Sequence, residues 1–158
     1  MKATATTQVM TTATTEPSAL STIINEAMGA RHLASISFPF DPVPASRPRV
    51  TRWGVYYSKT YTSWRKLAEK HLKPGSLHLQ ATDRLLVVIS AVSKRAKTSK
   101  LVFPRGDLDN TAKGPMDVVT KATGWWHDDN QITTLLTCKR FAAPNEQPRT
   151  DIEIYLLP

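Results

Sequence analysis

Two acidic pairs mark where this chain could do chemistry. Asp107 and Asp109 lie two residues apart in Pro104-Arg105-Gly106-Asp107-Leu108-Asp109-Asn110-Thr111-Ala112-Lys113. Asp128 and Asp129 follow in Trp125-Trp126-His127-Asp128-Asp129-Asn130-Gln131. A spacing of two puts side chains on the same side of an extended backbone. Residues 107–129 hold five of the 13 Asp and Glu but only two of the 21 Lys and Arg, a local balance of −3. The whole chain has a formal charge of +8, so the remainder carries +11 (19 basic, 8 acidic). Carboxylates gathered inside a positive chain point to a divalent cation at the cluster and a polyanion around it. Mg²⁺ is a hard ion that takes one or two protein carboxylates and completes its shell with water and phosphate oxygens. Asp107 and Asp109 could supply such a pair. Asp129 could add a third ligand if the intervening helix folds it back beside them. With Asn110 as N-cap, Lys113 lies in the first helical turn, within reach of a phosphate. Taken singly, each pair also reads as a polar turn or helix cap; taken together in a basic chain, they favour a metal site.

The elements that must hold these residues are legible in outline. Leu20, Ile23, Ile24, Ala27 and Met28 recur at helical spacing, with Gly29 placed as a stop. This short helix could dock on the core, on a partner subunit or on nothing. Ile36, Phe38 and Phe40 alternate as in a half-buried strand. Pro42, Pro44 and Pro48 stiffen a basic loop with Arg47, Arg49 and Arg52. Tyr61, Trp64, Ala68 and Leu72 form a helical stripe, and Leu85 to Ile89 is a short β-branched apolar run that predicts a buried strand. Lys94, Arg95, Lys97 and Lys100 make a mobile basic loop. A helical segment follows Lys113, then two closing strands near Ile132–Cys138 and Ile152–Leu156. The order predicts an α/β (α+β) domain, a small mixed sheet with helices mainly on one side.

Residues 1–17 are rich in Thr and Ala and read as a disordered tail. The tail with its short helix occupies 1–33, and the domain proper 34–158. A length of 158 residues suits one core, and a mean hydropathy of −0.31 suits a soluble protein. No run approaches the roughly 20 apolar residues of a membrane span, and neither a signal nor a transit peptide is expected. The single cysteine, Cys138, excludes an internal disulfide and a cysteine-rich zinc site, and suggests a reducing compartment. In its apolar strand pattern Cys138 reads as an inert core residue.

The acidic motifs resemble a known family. Arg105-Gly106-Asp107-Leu108-Asp109-Asn110 with Lys113 and Asp117, followed by Trp126-x-Asp128-Asp129-x-Gln131-Ile132, is similar to the RusA family of Holliday-junction resolvases. The Pro44–Arg49 segment with Tyr56-Tyr57 and the closing Ile152-x-Ile154 strand fit the same pattern. The resemblance implies a homodimeric, Mg²⁺-dependent endodeoxyribonuclease, with Mn²⁺ able to substitute, acting on branched DNA in recombination and repair. It implies a cytoplasmic location, bacterial or in the host of a phage. It matches Asp107, Asp109 and Asp129 to three catalytic, metal-holding aspartates and Lys113 to a catalytic lysine. Asp128 matches the less critical acid of its pair, a possible ligand or support, and Asp117 a structural acid. Gly114-Pro115 departs from the pattern: a helix beginning near Gly114 with Pro115 in its first position would avoid an internal proline but leave the direction of Lys113 open.

Arg47, Arg49, Arg52, Lys94, Arg95, Lys97 and Arg105 are the expected DNA contacts. His127 could ligate a metal, although a turn histidine is the plainer reading. Trp125 and Trp126 could stack on unpaired bases or pack in a core or dimer. The rival to an enzyme is a basic DNA-binding module whose acids are turns and caps; a third reading is a related nuclease preferring flaps or forks.

Overall fold

A computed structural model describes residues 19–75 and 77–158. The expected disordered tail at 1–17 lies outside the described residues. The fold is α+β. Its main sheet has the order β1-β6-β4-β5, with β1 at Arg31–Phe38, β4 at Leu85–Ser93, β5 at Ile132–Phe141 and β6 at Arg149–Leu156. Strand β6 runs antiparallel to both β1 and β4, whereas β4 and β5 are parallel. The apolar run beginning at Leu85 becomes β4 because it lies between two strands and is covered on both faces.

Among the described residues three α-helices pack on this sheet: α1 (Ala19–Met28), α2 (Lys59–His71) and α3 (Leu108–Ala122). Tyr61, Trp64 and Ala68 of α2 join Ala112, Val118 and Val119 of α3 on one face, over Leu85, Val87, Ile89, Ile152 and Ile154. The opposite face is partly covered by α1, whose Ile24 packs with Leu86, Val88 and Tyr155. This helix therefore docks on the core; Gly29, at φ +60°, ends it by donating to the Asn25 carbonyl at 3.0 Å. Strand β1 opens at Arg31 and ends at Phe38, so Phe40 packs on the core from outside the strand.

The expected Pro-stiffened loop contains a two-stranded hairpin, β2 (Arg49–Thr51) and β3 (Gly54–Tyr56), which among the described residues pairs only with itself. Cys138 corrects another expectation. Strand β5 is a sheet edge, and Cys138 pairs with Ser90, beyond the patch that α1 covers. Its thiol is consequently exposed, 3.2 Å from Ser90 Oγ.

Candidate active site

Helix α3 begins earlier than the proline suggests. Its N-cap is Asp107, in extended conformation, and its first residue is Leu108, neither Asn110 nor Gly114. The start is held from within: Thr111 donates both its N–H (3.1 Å) and its hydroxyl (2.9 Å) to the Asp107 carbonyl. Pro115 therefore lies in the helix interior, where it removes the bond that the Thr111 carbonyl would accept. Burial of Thr111, Ala112, Gly114 and Pro115 against the core offsets that loss.

This start places the acids differently from an extended strand. Asp107 uses its backbone, and not its carboxylate, to cap the helix; among the described residues the carboxylate meets only Asn110 Nδ2, at 3.5 Å. Asp109 sits in the first turn, exposed, its carboxylate making no hydrogen bond or ion pair among the described residues. Negative charge here is favoured by the helix dipole. Lys113 is in the second turn, one helical repeat beyond Asp109 on the same face, and pairs loosely with Asp117 at 3.8 Å. Its side chain is 60% exposed. Asp117 in turn acts on Tyr61: burial first, and then the Asp117 charge, push that phenol up to about 12.

The backbone around Asp107 is tightly clamped. Gly106 has φ +91°, and a Cβ there would lie 2.7 Å from Pro44 Cγ, so glycine is required on both counts. Ala45 N–H donates to the Asn110 carbonyl at 2.7 Å. Lys139 Nζ, from β5, donates to the Gly106 carbonyl and lies over the Phe103 ring. Lys139 escaped the sequence reading; a lysine ending an apolar strand was the available signal. Together with Lys94, Lys100 and Arg105 it lines an open cleft of about 640 Å³ beside the start of α3. The Lys94–Lys100 loop is tied to its surroundings: Lys94 N–H donates to Asp41 at 2.8 Å, and Arg95 donates to the Leu101 carbonyl at 2.9 Å. Lys97 is exposed on this loop, and Arg47, Arg49 and Arg52 are exposed on and before the hairpin.

The second acidic pair forms a 3-10 turn, Asp129–Gln131, capped by Asp128, whose Oδ1 accepts from Asn130 N–H at 2.9 Å. The Asp129 carbonyl accepts from Ile132 N–H, whereas its exposed carboxylate makes no hydrogen bond or ion pair among the described residues. Gln131 anchors the turn through the carbonyls of Gln80 and Asp83. His127 donates its N–H to Gln131 Oε1, and its ring Nε2 pairs with the Leu79 carbonyl, as befits a turn histidine. Trp126 is buried, donating to Thr120 Oγ1 at 2.7 Å, and Trp125 packs against the core.

Within the chain the helix does not fold Asp129 back beside Asp107 and Asp109. The turn leads straight into Ile132 at the start of β5, whereas Gly106 lies against Lys139 near the end of that strand. Seven strand residues at about 3.3 Å each separate these ends by about 20 Å, which matches the length of α3 at about 1.5 Å per residue. Among the described residues, no three acids, histidines or cysteines converge on one point. The donors suit a hard divalent ion in kind, since Asp107, Asp109 and Asp129 are exposed carboxylates that the fold does not consume in salt bridges. The chain groups only the first two.

Comparison with known proteins agrees with the motifs. A search of curated proteins returns no match. The family model for endodeoxyribonuclease RusA matches residues 39–155, from the proline-rich segment through both acidic pairs to the closing strand. The chain belongs to the RusA endodeoxyribonuclease family.

Proposed function

We propose that this protein is a Mg²⁺-dependent, structure-selective endonuclease that resolves four-way DNA junctions as a homodimer, in recombination and repair in the cytoplasm, with Mn²⁺ able to substitute. The observation that carries the reading is the start of α3. Two carboxylates are presented there by a clamped backbone beside a cleft bearing Lys94, Lys100, Arg105 and Lys139. Residues 34–158 form the nuclease domain in this reading. A junction must be cut on two opposed strands, which a two-fold dimer meets with two equivalent sites.

The metal-holding carboxylates are Asp107 and Asp109 of one protomer with the partner's Asp129, because one chain keeps them about 20 Å apart. The divalent ion, when bound, supplies Lewis-acid stabilisation of the charge that develops at the phosphate under attack. The basic cleft holds the DNA backbone, and Arg47, Arg49, Arg52, Arg95 and Lys97 extend its positive surface. Lys113 offers an exposed ammonium on the Asp109 face of α3, where it can offset charge on the scissile phosphate. Asp128 supports the turn that presents Asp129.

The test uses purified protein with synthetic four-way, forked and linear DNA, with Mg²⁺ or with EDTA. Paired nicks on opposed strands of the four-way junction are expected with Mg²⁺, and binding without nicking in EDTA. Absence of metal-dependent cleavage on every branched substrate would overturn the reading.

A further inference from the structure

We infer that the β2–β3 hairpin is a base-stacking probe, with Trp53 at its tip meeting an unpaired or unstacked base at the branch point. This rests on the protein acting on branched DNA, and goes beyond it by assigning a contact to a base where the basic loop alone suggests contacts to phosphate. The hairpin is built to present an indole. Arg52 and Trp53 form its two-residue turn, between the paired residues Thr51 and Gly54. Trp53 N–H donates to Thr51 Oγ1 at 3.2 Å, that hydroxyl donates to the Gly54 carbonyl at 3.2 Å, and Tyr56 donates its phenol to the Trp53 carbonyl at 3.1 Å. The Trp53 N–H and carbonyl are thus both bonded within the hairpin while the residue is left 75% exposed. An isolated two-stranded hairpin is marginal in water, and this one buries none of its six strand residues. A large exposed aromatic ring on such an element gains most by stacking on a partner.

The chemistry around the tip selects that partner. The Arg52 guanidinium lies over the Trp53 ring at 4.6 Å, so a cation covers one face of the indole and the other face can take a base. From Pro42 to Ala68 there are six Lys and Arg and no Asp or Glu, which favours a polyanion and disfavours a basic surface. The base of the hairpin is fixed to the site. Ser58 N–H donates to Ser46 Oγ at 3.0 Å, and the neighbouring Ala45 and Pro44 touch Asn110 and Gly106. From Ser46 to Arg52 the extended chain reaches at most about 20 Å, roughly six nucleotide steps. Trp53 therefore samples DNA a few nucleotides from the acids. In continuous duplex every base is stacked on both sides; at a branch point it is not, and stacking on an aromatic ring is indifferent to base identity.

The test measures binding in EDTA to a four-way junction and to linear duplex of the same length, for wild type, Trp53→Ala and Trp53→Phe. Junctions carry 2-aminopurine at the branch point as a stacking reporter. Trp53→Ala should lower junction affinity about 5- to 150-fold, the loss of one stacked base, and change duplex affinity by no more than about twofold. Trp53→Phe should keep most of the affinity. The 2-aminopurine signal should change on binding wild type and not Trp53→Ala. Equal losses on junction and duplex, or no loss, in a wild type that prefers junctions would overturn the stacking role alone. So would a Trp53→Ala protein that loses its dimer by sedimentation, because the tip would then be a contact between subunits. A wild type with no preference for branched DNA would overturn both this inference and the function on which it rests.

Discussion

Asp128 and Asp129 are adjacent but differently employed, and the difference is chemical. Asp128 spends a carboxylate oxygen on the Asn130 N–H, a bond that an amide oxygen could also accept. The Asp129 carboxylate makes no hydrogen bond or ion pair among the described residues. We expect Asp107→Asn, Asp109→Asn and Asp129→Asn each to abolish cleavage and to leave junction binding intact or tighter, since a metal ligand and a repulsive charge near phosphate disappear together. Asp128→Asn should slow cleavage far less; if it proves the more damaging of the two, the ligand has been assigned to the wrong neighbour. Lys113 allows a similar separation. Its 3.8 Å pairing with Asp117 is exposed and contributes about 0–1 kcal/mol, so Lys113→Ala should barely move the melting temperature. If its ammonium faces the reacting phosphate, the single-turnover rate should fall at least about tenfold with junction affinity retained. A parallel loss of rate and affinity would make it an ordinary phosphate contact.

At the scale of elements, Gly114 shows how α2 and α3 come together. A Cβ there would meet Tyr61 Cε2 at 3.1 Å and Trp64 Cζ3 at 3.4 Å, two buried rings stacked on one another. Alanine would gain up to about 1 kcal/mol of helix propensity but incur about 1–3 kcal/mol of overpacking. Gly114→Ala should therefore melt about 2–4 °C lower; a rise would show that the rings yield. The turn joining β5 to β6 is held by charge. Arg140, then the Ala143 N–H, then Arg149 keep the Glu146 carboxyl well below its ordinary 4.5. A depressed folded value stabilises above the unfolded one and is lost as pH falls through the folded one. The gap in melting temperature between wild type and Glu146→Gln should accordingly be full at neutral pH and shrink as pH drops below 4.5; a gap that widens in acid would contradict the pairing. What was legible in the sequence follows the same physics. Strand β4 and helix α2 were readable because a continuous apolar run and a 3.6-residue stripe each have one low-energy answer. The hairpin was hidden because Arg52-Trp53 is not a turn pair with a strong local signal and its strands bury nothing. The start of α3 was displaced by weighing Pro115 locally, when bonds from Thr111 to the Asp107 carbonyl and burial of the proline decide it. The candidate site residues can be named from the sequence; their separation cannot, because it follows from the parallel pairing of β4 with β5, which sends α3 the length of the sheet.

At the scale of the whole molecule, that separation decides how two protomers would cooperate. Consider inactive homodimers of Asp107→Asn and of Asp129→Asn, mixed and allowed to exchange subunits. If each site lies within one chain, a heterodimer has one site lacking Asp107 and another lacking Asp129, and neither cuts. If each site joins Asp107 and Asp109 of one protomer to the partner's Asp129, both lesions fall in the same site and the other is intact. The mixture should then recover cleavage, limited to one strand of the junction, because a single working site cannot make the paired cut that two-fold symmetry otherwise provides. The parent dimers remain silent, so the background is low. Singly nicked junctions would show that the site is shared between subunits. A mixture as inactive as its parents, with exchange confirmed by differently tagged chains, would place each site within one protomer. It would then require the turn at Asp129 to move about 20 Å along α3, or a site built on Asp107 and Asp109 alone.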